Sequence, residues 1–212
     1  EIGECAGNLL VTYQGSGSLV TLAPAASVRS GWHHVAVTRN GGSLIAYLDG
    51  FVVNTGTVGP ISLPANAVFN IGQSTAAVGN NLENWKGRID EVRLWNYART
   101  PTQILTKSNC TMPSNIPGLI LYYSLDHGFP GAQNAGTNIA WNYATSVSLY
   151  ANLKNFTLNG TFSNWICTSL FGLTMNGVCT PFAPEPGNEE RSEEFEAQTT
   201  AGEPGQDIKI FP

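Results

Sequence analysis

The stretch Trp32–Val53, WHHVAVTRNGGSLIAYLDGFVV, decides the fold. Two short runs rich in Val, Ile, Leu and aromatic residues flank Asn40-Gly41-Gly42, and a third begins after Asp49-Gly50. Both turn clusters supply the positive φ that a tight reversal needs, so the stretch is expected to form antiparallel strands. On a strand, side chains alternate between the two sheet faces. Trp32, His34, Ala36 and Thr38 are therefore expected on one face, and His33, Val35 and Val37 on the other. Adjacent histidines on opposite faces cannot jointly hold a metal or relay a proton. His34 is read as structural, beside tryptophan, and Asp49 as a turn residue. No serine-nucleophile motif accompanies either histidine.

Working outward, NLLVTYQ, SLVTLAP, AVFNIG and WKGRIDEVRLWN have the same character, with turn clusters such as GSGS, GP and GNN between them. Short strands at regular spacing predict an all-β sandwich or barrel. One helix is expected, over TPTQILTK. Thr100 is a good N-cap, Pro101 suits the first helical position, and Gln103 completes a capping box. After Cys110, PSNIPGLILYYSLDHG reads as a further strand. A Gly/Asn-rich loop runs to about Asn142 and strand-like sequence follows.

With 212 residues, 42% hydrophobic and 12% charged, the chain can bury a real core, and it contains no apolar run of membrane-spanning length. Its first residues, EIGECAGNLLV, do not read as a basic, apolar leader, so an exported protein is expected to start elsewhere. The net charge is −5, yet residues 185–212 alone carry −6, so the body has no field that attracts nucleic acid or an anionic membrane. The acidic run is read as a structureless linker, because Pro, Glu, Ser, Thr and Gly bury too little apolar surface to fold. The four cysteines lack zinc-ligand spacing and suggest two disulfides in an oxidising compartment. Cys167 and Cys179 flank an Asn176-Gly177 turn and are paired on that ground, which leaves Cys5 with Cys110.

Taken together, the Trp32–Val53 pattern, the FxIGxS-like stretch FNIGQS and WKGRIDEVRLWNYARTPTQI resemble the second half of a laminin-G-like domain of the concanavalin-A lectin/glucanase class, over about Leu9–Thr106. The resemblance implies an antiparallel jelly roll of two packed sheets. That family's opening strands have no counterpart here, so part of the sandwich is expected from residues before Glu1 or from another chain. The segment GLILYYSLDHGFPGAQNAGTN…NLKNFTLNGTFSNWI is similar to an extension found in surface proteins of gliding, Bacteroidetes-type bacteria. The closing DIKIFP is similar to the start of their type IX C-terminal sorting domain. The resulting division is 1–107 sandwich, 108–182 β-rich extension, 183–205 disordered acidic linker and 206–212 sorting-domain start.

The resemblance also implies that Asp90 helps hold a structural Ca²⁺ with backbone oxygens. The alternative is an ion pair with Arg88 or Arg93. Ca²⁺ needs six to eight oxygens, so Asp90 alone is not a site. Glycoside hydrolysis needs two carboxylates flanking one bond. Asp90 and Glu91 are adjacent and expected to face opposite ways, so no catalytic pair is read. Sugar-stacking aromatics are sought among Trp85, Trp95, Trp141, Trp165 and Tyr143. Trp141 and Tyr143, in the loop NIAWNYATS, are the candidates for an exposed patch, and Asn80 and Asn81 could lend oxygens to a ligand. The expectation is a non-catalytic, surface or secreted binding module for a glycan or surface protein, exported by type IX machinery. The alternatives are an accessory domain of a larger polysaccharide-acting enzyme, or a filament protomer completed by strands donated in trans.

Overall fold

The computed structural model describes residues 2–5, 8–12, 19–24, 31–60, 69–72, 85, 87–130, 132–144, 150–154, 156–159, 165 and 194–200. Of these, the segments within 2–24 and 194–200 are described by backbone only. The strands are β1 Ile2–Cys5, β2 Asn8–Thr12, β3 Leu19–Pro24, β4 Trp32–Asn40, β5 Ser43–Leu48, β6 Phe51–Thr57, β7 Arg88–Trp95, β8 Leu119–Tyr123, β9 Ile139–Trp141, β10 Tyr150–Asn152 and β11 Glu194–Thr200. The single helix among the described residues is α1, Pro101–Lys107. The all-β expectation holds.

Three antiparallel sheets form: β1-β2-β3, the hairpin β10-β9, and a main sheet ordered β6-β5-β4-β11-β7-β8. The two turns of the opening stretch close two-residue hairpin loops. Asn40 pairs with Ser43 around Gly41-Gly42, and Leu48 pairs with Phe51 around Asp49-Gly50. Asp49 (φ 53) and Gly50 (φ 83) both take positive φ, the signature of a type I′ turn whose twist matches the strands. Gly50 has a second reason to be glycine, since a Cβ there would lie 2.7 Å from Leu105 Cδ1 on α1. β3 lies against β5 and β6.

The centre of the main sheet is buried on both faces, while its edge strand β6 is mostly exposed. One face carries Val35, Val37, Leu44 and Val92 into a core shared with Ala140, Leu158 and Trp165. On the other, Ile104 of α1 packs on Ala36 and Tyr47. α1 begins as expected: the Thr100 side chain accepts from Gln103 N–H (3.3 Å), and the Gln103 side chain accepts from Thr100 N–H (2.9 Å). Pro101 occupies the first turn, where its missing N–H costs nothing.

Two stretches depart from the sequence reading. Leu119–Tyr123, expected in a separate extension, is the edge strand of the main sheet. Glu194–Thr200, expected within a disordered linker, is a strand between β4 and β7, antiparallel to both. Composition argues against a self-supporting fold for that segment, but a slot flanked by two rows of backbone donors and acceptors supplies the pairing it lacks on its own. Residues 183–193 and 201–212, including the sorting-domain motif, lie outside the described residues. So do Asn80, Asn81, Cys167 and Cys179, and the Cys5 side chain. Cys110 is buried and disulfide-bonded. No helix among the described residues is long and apolar enough to cross a membrane.

Candidate functional site

An acidic cluster and an aromatic platform meet at the end of β8. The cluster originates in an irregularity of β7. In the β11–β7 register Gln198 stands opposite Asp90 and Glu196 opposite Arg93, so Glu91 and Val92 together oppose Ala197. That is a bulge, which re-aims side chains and bends a strand. Glu91 absorbs it at φ 54. As a result the expectation that Asp90 and Glu91 face opposite ways is overturned. Ligand atoms of Asp90, Glu91 and Asp126 all lie within 4.8 Å of one another. Strict alternation holds only for an unbulged strand, and nothing local in GRIDEVRLW announces the extra residue.

The three carboxylates are not equivalent. Glu91 is fully engaged: its Oε2 accepts from Arg93 Nη2 at 2.8 Å, and the Tyr122 hydroxyl lies 2.8 Å from Oε1 and 3.0 Å from Oε2. Arg93, buried like Glu91, also donates from Nη1 to the Lys107 carbonyl (2.7 Å) and from Nη2 to the Cys110 carbonyl. This network ties β7, β8 and the end of α1 together. The expected alternative is Asp90 paired with Arg88 or Arg93; the Arg93 guanidinium bonds Glu91 and reaches Asp90 only as a nearby charge. Asp90 is 4% exposed and its Oδ1 accepts from Glu91 N–H at 3.1 Å. Burial, with Asp126 and Glu91 nearby, pushes the Asp90 carboxyl up to about 8. Asp126 is exposed at the mouth of the cluster and hydrogen-bonded by Ser124. Burial of its carboxyl side raises it as well. Leu125, just before Asp126, sits at φ 59, a left-handed conformation that costs a non-glycine residue about 1–2 kcal/mol.

The platform begins one residue further on. His127 stacks on Tyr143 with ring centroids 5.5 Å apart and planes at 11°. Its Nε2 lies 3.1 Å from the Tyr143 hydroxyl and accepts the Trp141 N–H at 3.3 Å. Accepting an N–H requires an unprotonated Nε2, and burial lowers the His127 pKa, with Asp126 opposing. Trp141 pairs across the hairpin with Tyr150, ring edge to face at 5.9 Å. Trp141, Tyr143 and Tyr150 are 42%, 44% and 54% exposed, so each ring keeps part of its surface in solvent, although His127 covers one face of Tyr143. Between the two rings, buried Asn142 locks the backbone by mimicking a strand. Its Oδ1 accepts Tyr122 N–H (2.8 Å), and its amide donates to the Ile120 carbonyl (3.2 Å). The same contacts cover the outer edge of β8.

Of the sequence candidates, Trp141 and Tyr143 come together as an exposed patch, and Asp90 joins an acidic cluster. Trp95 and Trp165 are buried in the core, and Trp85 packs against it. Asp49 does more than turn the chain: its Oδ1 accepts His34 N–H and its Oδ2 meets His33 Nδ1, both at 2.9 Å. Sequence reasoning missed Glu91, Asp126, His127 and Tyr150. Asp126-His127 at the end of an apolar strand was the available signal; Tyr150 had none, since its pairing with Trp141 is tertiary.

Comparison with known proteins matches residues 6–105 to a laminin-G-type family described as the concanavalin A-like lectin/glucanases superfamily. The chain is 33% identical over 109 residues to the sushi, von Willebrand factor type A, EGF and pentraxin domain-containing protein 1 of Mus musculus, covering 47% of this chain and 3% of that protein. It is 28% identical over 129 residues to the neuronal pentraxin receptor of Homo sapiens, covering 57% of this chain and 25% of that protein. The chain thus spans a quarter or less of the length of these relatives. No solved structure matches it. Together with the antiparallel all-β architecture, the match makes residues 6–105 similar to the laminin-G-like domains of the concanavalin A-like lectin class.

Proposed function

We propose that the chain is a non-catalytic binding module of a secreted or cell-surface protein, with a glycan or a surface protein as ligand. The observation that carries this reading is the exposed aromatic patch of Trp141, Tyr143 and Tyr150, held in place by Asn142 and His127. Solvent-exposed aromatic rings can stack on the apolar faces of sugar rings, and their rigidity keeps the entropic cost of binding low. The acidic cluster does not favour hydrolysis. Glu91 is saturated by Arg93 and Tyr122 and Asp90 is buried, which leaves Asp126 as the one exposed carboxylate where two are needed.

The cluster suits a divalent cation better. Its donors are all oxygens, and a cation would favour the ionised form of the Asp90 carboxyl, which burial otherwise holds protonated up to about pH 8. Asp90 and Asp126 would hold a structural Ca²⁺, with backbone oxygens or water completing the shell, while Glu91 stays committed to Arg93. Glu91 and Leu125, beside the cluster, both take positive φ, the kind of backbone strain that collects at ligand sites. The two short overlaps with far longer relatives support a module within a larger protein.

Binding to a panel of immobilised polysaccharides tests the reading. Trp141→Ala and Tyr143→Ala should each abolish retention without changing the melting temperature. Retention that survives both substitutions removes the patch from the function. Export is proposed to run through type IX machinery that reads the C-terminus. Deleting the residues after Gly205 in the producing organism should trap the protein in the periplasm, and normal display would refute this.

A further inference from the structure

The outward face of the β9–β10 hairpin carries more than rings. Its register pairs Tyr150 with Trp141, Ala151 with Ala140 and Asn152 with Ile139. Directly paired residues share a sheet face, and successive residues alternate between faces. Ala140 is buried in the core and Ala151 packs against it, so this pair points inward. Trp141, Tyr150 and Asn152 are all exposed and point outward together. Leu153 N–H donates to the Asn138 carbonyl at 2.8 Å, which carries the pairing one step further.

The two rings on this face do not make a flat surface. Their centroids lie 5.9 Å apart and their planes meet at 67°. The surface of a crystalline polysaccharide is flat. When one ring lies against it, the other stands steeply to it and touches by an edge at most. Turning both rings flat would undo a cross-strand, edge-to-face contact that the hairpin register holds in place. A single glycan chain has no such constraint. One sugar can lay its apolar face on one ring and turn its edge to the other. Its hydroxyls then meet the amide of Asn152, which offers two donors and an acceptor. Tyr143, exposed on the far side of buried Asn142, adds a contact through one face only, since His127 covers the other.

We propose that Trp141, Tyr150 and Asn152 form a corner subsite for individual, soluble glycan chains, which discriminates against the crystalline form of the same polymer. This deepens the glycan reading given above and rests on it. It adds Asn152 as the group that recognises hydroxyls and makes the angle between the rings the source of selectivity.

The test uses the full chain on matched forms of three polymers. These are hydroxyethyl cellulose against microcrystalline cellulose, glycol chitin against crystalline chitin, and soluble galactomannan against crystalline mannan. Affinity electrophoresis reads the soluble forms, and depletion from the supernatant reads the solids. In every pair that binds, the soluble form should bind at least about tenfold more tightly, because only a free chain meets both rings. Equal or tighter binding to the solid in any pair overturns the inference and leaves the glycan reading standing. Retention by no form of any polymer removes the glycan reading, and the inference with it. Tyr150→Ala and Asn152→Ala should each weaken soluble-chain binding by at least about fivefold. Should Tyr150→Ala fail to fold, Asn152→Ala decides alone. Soluble-chain affinity that Asn152→Ala leaves unchanged overturns the corner subsite.

Discussion

Two carboxylate-bearing residues share nearly the same backbone angle and could hardly differ more in consequence. Asp49 (φ 53) turns β5 into β6; Glu91 (φ 54) sits in the middle of β7. At Asp49 the left-handed residue is followed by glycine, faces solvent, and spends its carboxylate on His33 and the His34 amide. At Glu91 the same conformation makes a bulge inside the sheet and sends a carboxylate into the interior. There a guanidinium and a phenol must meet it. A positive φ in a turn is local chemistry; a positive φ in a strand needs the whole sheet to hold it.

The comparison breaks first at Arg93. Arg93→Met leaves Glu91 buried without its cation and should cost about 3–5 kcal/mol, read by chemical denaturation. Glu91→Gln/Arg93→Met together should recover a large part of that loss. If the single and double variants are equally destabilised, the ion pair is not what holds the bulge.

The next effect belongs to Asp90. Its folded pKa of about 8 lies above the ordinary 3.8. Between those values the native state keeps a proton that the unfolded state has released. Stability from this group is therefore full below about pH 4 and falls as pH rises through 8, with a slope approaching 1.4 kcal/mol per pH unit at most. Thermal melts in EDTA from pH 5 to 8 should show the decline, and Asp90→Asn should remove it. Millimolar calcium should flatten the decline in the parent chain but not in Asp90→Asn. A calcium-dependent rise in melting temperature that survives Asp90→Ala takes Asp90 out of the cation site.

Smaller effects sharpen the exposed side of the comparison. Asp49→Ala loses two hydrogen bonds and places a residue with a Cβ but no local partner at positive φ. It should cost about 1–2 kcal/mol by thermal melt, whereas Asp49→Asn should stay within about 0.5. Trp141→Ala should change stability least, within about 0.5 kcal/mol, because the ring is exposed, while abolishing polysaccharide retention.

Local chemistry made much of this molecule legible. The hairpin turns at Gly41-Gly42 and Asp49-Gly50 and the α1 cap at Thr100 and Gln103 each rest on a few neighbouring residues, and the structure agrees with them; Trp141 and Tyr143 are exposed as read, but Trp141 lies in a strand rather than a loop. The determinants of the turns and the cap are short-range: positive φ at glycine and a side-chain cap. Tertiary structure alone decided the rest. The bulge that turns Glu91 beside Asp90 exists because β11 lies along β7 in a particular register. Asp126 and Tyr150 reach the site across strand pairings between distant segments. Glu194–Thr200 reads as linker by composition and becomes a strand only where a slot with two unpaired backbone rows receives it. Periodicity and turn chemistry report what a segment prefers by itself, whereas register, bulges and slot filling depend on partners far away in the chain.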